Sequence, residues 1–74
     1  MENRSLRFEE CEHYTDMESY MEDLTSSGAK ITEHDFDPED ESCVISFSIE
    51  SYEEFYDKFK DTVGFDFTYI IKPE

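Results

Sequence analysis

The chain has 74 residues, of which 21 are Asp or Glu and six are Lys or Arg, giving a formal net charge of −15. That length allows one domain. That charge excludes direct nucleic-acid binding, where affinity rests on cations meeting phosphates, and docking on anionic lipid. Seven Phe and five Tyr, 16% of the chain, exclude the aromatic-poor composition of a disordered acidic tail and supply the dense core a domain this small requires.

In chain order, residues 1–4 are a polar start. The stretch SLRFEECEHY, 5–14, reads as a strand on Leu6, Phe8 and Tyr14, although Glu9, Glu10 and Glu12 interrupt its alternation. TDMESYMEDLTSSG, 15–28, reads as a helix. Thr15 is its expected cap, with Glu18 closing a capping box. Met17, Tyr20, Met21 and Leu24 form one apolar stripe, and Gly28 suits the position just past the end. AKITEHDF, 29–36, is a weakly patterned second strand, and Asp37-Pro38-Glu39-Asp40 is a turn in which Pro38 sets φ.

SCVISFSIE, 42–50, is the clearest strand. Cys43, Ile45, Phe47 and Ile49 face one way and Ser42, Ser46 and Ser48 the other. SYEEFYDKFKDTVG, 51–64, repeats the helical grammar: Ser51 caps, Glu54 closes the box, Tyr52, Phe55, Tyr56, Phe59 and Val63 form the stripe, and Gly64 stops it. FDFTYIIKP, 65–73, is a last strand with Phe65, Phe67, Tyr69 and Ile71 inward.

The order is β-α-β-β-α-β. Two halves are offset by 36 positions, matching Thr15 to Ser51, Glu18 to Glu54, Tyr20 to Tyr56, Gly28 to Gly64 and Thr32 to Thr68. This resembles the ferredoxin-like split-βαβ sandwich of the α+β class: a four-stranded antiparallel sheet with two helices on one face, in a single domain over 1–74. Right-handed crossovers place the first and third strands in the centre. Because the first strand is weakly apolar, an order that puts it at an edge is the alternative.

The densest acidic stretch is EHDFDPEDES, 33–42. As a calcium loop starting at Asp35 it supplies Asp37 and Glu39, but places Asp40 where Gly is required and Ser46 where the bidentate Glu is required. Cys11, His13, His34 and Cys43 could in principle hold zinc, yet their spacing matches no zinc signature, and reduced, partly buried thiols with surface imidazoles explain them more simply. No carboxylate pair is set apart for acid–base work, and no nucleophile elbow or phosphate-cradling glycine loop is present. No metal, cofactor or enzymatic activity is expected. The rings could not serve as a base-stacking platform on so negative a chain and are core.

The carboxylates themselves remain. Over a surface of about 4,800 Å² they amount to roughly one net charge per 320 Å². Duplex DNA, with one phosphate per about 1.7 Å on a cylinder of ~10 Å radius, carries roughly one per 107 Å². A DNA-like face therefore requires acids gathered on one side. The first helix and the 33–41 segment flank the same strand, so the expected partner-binding residues are Glu33, Asp35, Asp37, Glu39, Asp40 and Glu41, supported by Glu18, Glu22 and Asp23. The leading expectation is a small inhibitor that mimics nucleic acid and occupies the basic groove of a nucleic-acid-binding protein. In size and charge alone it is similar to phage-encoded anti-CRISPR and anti-restriction proteins. The alternative is a regulatory or adaptor module binding through a less charged open sheet face lined by Val44, Ser46, Ser48, Thr68 and Ile70, a face that could equally serve a homodimer. Without a membrane-spanning apolar run or a charged-then-apolar leader, a cytoplasmic setting is expected.

Overall fold

A computed structural model describes residues 2–63 and 71–73. Its elements are β1 (Glu2–Phe8), α1 (Tyr14–Ser26), β2 (Lys30–Asp37), β3 (Ser42–Ile49), α2 (Tyr52–Val63) and β4 (Ile71–Pro73). β3 runs antiparallel to β1 from Glu2↔Ile49 to Phe8↔Cys43, and antiparallel to β2 from Lys30↔Ser48 to Asp37↔Ser42. β4 pairs antiparallel with the other side of β1, giving the order β2-β3-β1-β4. Of the expected last strand, Phe65, Phe67 and Tyr69 lie outside the described residues, as do Gly64, Thr68 and Ile70.

β1 begins and ends earlier than its sequence pattern predicts, and it is not an edge strand. Glu9, Glu10 and Glu12 are exposed in the link to α1 rather than in the strand, so the acids that weaken the pattern never enter the sheet. Cys11 turns inward within that link, and its N–H donates to the Glu41 carbonyl at 3.0 Å. Tyr14, expected at the end of the strand, is the first residue of α1 and 48% exposed.

Both helices pack on one face of the sheet. Met17 and Leu24 from α1 and Phe55 and Phe59 from α2 join Leu6, Phe8, Cys43, Ile45, Phe47 and Ile49 in a single buried cluster. Its ring contacts are short: Phe8 stacks on Tyr20 at 4.2 Å, Phe47 meets Phe55 at 5.0 Å and Phe55 stacks on Phe59 at 5.3 Å. Each fully buried large side chain contributes about 1.5–3 kcal/mol, which is how so short a chain offsets its ordering cost.

The start of α1 also departs from the expected grammar. His13, not Thr15, precedes the helix in an extended conformation, and its N–H donates to the Asp16 carboxylate at 3.0 Å. The helix therefore starts ahead of the Thr15–Glu18 box, and α1 and α2 do not begin at matched positions of the two halves. At the other end Gly28 takes φ +101, a backbone conformation that residues with a side chain rarely adopt, while the Ala29 N–H closes back on the Leu24 carbonyl.

Candidate functional site

β2 owes its placement to one inserted residue. Pairing passes from Ile31↔Phe47 to Glu33↔Ser46, so Thr32 is the extra residue of a β-bulge. Ile31 and Phe36 are an odd number of positions apart and could not share a face of an unbroken strand. The bulge corrects this. Both sit half-buried on the helix side, while Glu33, Asp35 and Asp37 fall opposite Ser46, Val44 and Ser42 on the helix-free side. The alternation invisible in the uncorrected sequence is thereby restored, and with it a row of three carboxylates.

The turn that follows uses some of its own acids. Asp37 Oδ1 accepts the N–H groups of Glu39 and Asp40 at 3.1 and 3.2 Å, an Asx-type closure. The Asp40 carboxylate pairs with Arg7 and accepts the Ser42 hydroxyl at 3.0 Å. Glu41 adopts φ +53, which turns its carbonyl onto the Cys11 N–H. Glu33, Asp35 and Glu39 project into solvent. Among the described residues Asp40 alone of the nine candidates forms an ion pair.

The supporting acids of α1 lie on the other layer. Glu18 and Glu22 are exposed, and Asp23 is half-buried. Burial first, and then the neighbouring Glu22 charge, push the Asp23 carboxyl above the usual carboxylate range. α1 packs beside β2, and Tyr14 from its first turn meets Phe36 edge-on at 5.9 Å. The helix that bears these acids therefore lies next to β2, on the side of the sheet opposite the row Glu33, Asp35 and Asp37.

The helix-free face is not the weakly charged surface the sequence predicts. Register puts Glu33, Asp35 and Asp37 on it beside Val44 and Ser46, and Arg7 across from Val44. Serine content along β3 obscured this, because the charges come from its neighbours. A shallow depression of about 520 Å³ lies there, lined by Thr32, Glu33, His34, Asp35, Val44 and Ser46. Next to it the hydroxyls of Ser5 and Ser46 hydrogen-bond at 2.7 Å. Over an accessible surface of 4895 Å², fifteen net charges amount to about one per 330 Å².

The two thiols meet. Cys11 and Cys43 are buried, free and close enough to affect each other's titration, and Cys11 Sγ donates to the His13 carbonyl at 3.7 Å. Burial pushes both thiols above their ordinary range, so they stay protonated. His13 and His34 are exposed. Among the described residues no group of three or more His, Cys, Asp or Glu is arranged to hold a metal ion, and no helix is long and apolar enough to cross a membrane. Compared with protein-family models, with curated proteins and with solved structures, the chain matches none.

Proposed function

We propose that this chain is a small acidic inhibitor that occupies the basic nucleic-acid groove of a partner protein, on a ferredoxin-like four-stranded sandwich. The observation that carries the reading is the row Glu33, Asp35 and Asp37 continuing into the exposed Glu39 on the turn. Few of these acids are neutralised within the described residues, so their field is available to another macromolecule. Strand spacing supports the mimicry: alternate residues repeat every ~6.6 Å, close to the separation of neighbouring phosphates along one strand. Carboxylates there would meet target Arg and Lys in place of phosphates, giving fast and salt-sensitive association. The β2-β3-β1-β4 order and two helices on one face support the fold assignment.

The test is competition. The protein is used to capture basic nucleic-acid-binding proteins from a lysate, and each captured protein is then challenged with labelled duplex. Displacement of the duplex should weaken steeply as salt rises, and the combined variant Glu33→Gln, Asp35→Asn, Asp37→Asn, Glu39→Gln should lose at least about tenfold in potency. Asn at 37 can still accept the two turn N–H groups, so the variant keeps its fold. Undiminished competition by that variant overturns the reading.

A second reading is favoured by the depression beside Val44 and the Ser5–Ser46 hydroxyl pair: docking of a protein, or of a second copy, on the helix-free face. Glu33 and Asp35 line that depression as well, so the partner rather than salt separates the two readings: self-association, or capture of a protein that binds no nucleic acid, marks this one.

A further inference from the structure

We propose that the outer edge of β2 takes up an extended cationic segment of a partner protein as an added strand, its basic side chains on the acid row and its apolar side chains against Phe36 and Tyr14. This rests on the reading of the acids as partner-facing and specifies how the partner is held.

β2 ends the sheet. Seven of its eight residues, all but the bulged Thr32, pair with β3 on one side, and among the described residues nothing pairs with the other. Such an edge presents a row of main-chain donors and acceptors, the template used when a peptide extends a sheet. Side-chain chemistry then selects the peptide. On one face stand Glu33, Asp35 and Asp37, with Lys30 at the start of the strand; on the other, exposed His34 lies between half-buried Ile31 and Phe36, and the Tyr14 ring leans on Phe36 with nearly half its surface exposed. An added strand along 33–37 therefore meets carboxylates at one parity and, at the other, the apolar Phe36–Tyr14 surface beside His34. The matching sequence alternates Lys or Arg with apolar residues.

Other occupants fit less well. A second copy joined through the same edge would set its own acid row directly opposite this one, and facing like charges destabilise a strand pair. Nucleic acid is excluded by sign. A purely protective edge, charged to deter association, accounts for the acids but not for an exposed aromatic ring beside the same strand.

The experiment uses the intact protein and three synthetic probes: a peptide alternating lysine and valine, one of identical composition with its lysines and valines in two blocks, and the alternating peptide methylated on alternate backbone nitrogens. Binding is followed by amide chemical shifts and hydrogen exchange at low salt. The expected result is protection of amides within 30–37 by the alternating peptide only. N-methylation should weaken it by about tenfold or more through lost ladder hydrogen bonds, and Glu33→Gln with Asp35→Asn should weaken it by about tenfold through lost charge pairs. Equal binding by the blocked or methylated peptide, or shifts that spare 30–37, overturns strand addition while leaving the acidic-surface reading intact. Absence of binding by every cationic probe, together with failure to displace duplex from any basic protein, overturns both.

Discussion

Glu41 holds φ +53 in a chain whose only described glycine with positive φ is Gly28. A left-handed backbone costs an ordinary residue about 1 kcal/mol, and Asn bears it more easily. Glu41→Asn should therefore raise unfolding free energy by about 0.5 kcal/mol, read from urea denaturation. An acid retained where a neutral residue would be more stable is consistent with a use for its charge. Tyr20 makes the opposite kind of contribution. Its hydroxyl donates to the Glu10 carbonyl at 2.8 Å, and burial, aided by nearby negative groups, pushes it from 10.0 up to about 12. Because the folded value lies above the unfolded one, its contribution is complete below pH ~10 and is lost as pH climbs through about 12. Tyr20→Phe should cost about 1 kcal/mol at neutral pH and remove this alkaline component, which paired denaturation curves from pH ~8 to ~12 would show.

At the scale of elements, the β2 bulge carries the most consequence. Deleting Thr32 leaves an unbroken strand in which either Ile31 or the Phe36 set must leave the helix side, because a one-residue slip exchanges the faces. The deletion should cost about 3 kcal/mol or more and abolish cooperative unfolding by circular dichroism, whereas Thr32→Ser should stay within about 0.5 kcal/mol. The same bulge explains what could be read beforehand. β3 and α2 follow strict periods of 2 and 3.6, and their expected limits lie within a residue of those observed. β2 breaks its own period, so its faces, and the row Glu33–Asp35–Asp37, could not be assigned without knowing that Thr32 is extra. β1 was misplaced for a related reason. Its acidic neighbours belong to a link fastened by a backbone hydrogen bond from Cys11 to Glu41, which side-chain pattern does not reveal. Likewise His13 caps α1 through its backbone N–H and Asp16, while the Thr15–Glu18 spacing only imitates a cap.

For the molecule as a whole, fifteen net negative charges on 4895 Å² imply self-repulsion on the order of 10 kcal/mol at 0.1 M salt, partly retained on unfolding. The described ion pairs, Arg4–Glu2, Arg7–Asp40 and Lys60–Asp57, are exposed and contribute at most about 1 kcal/mol each. Repulsion therefore wins. Stability should increase by on the order of 2 kcal/mol between about 0.1 and 1 M salt, seen as a rising urea midpoint. The same salt would dissociate the cationic partner proposed above, so the fold should be firmest where that proposed association is weakest. The Cys11 amide offers a way to watch for it. It is anchored on the Glu41 carbonyl, far along the chain yet at the base of the acidic loop. Its deuterium uptake becomes a native reporter, slowing when the loop is clamped and quickening when the loop is prised away, with no label attached.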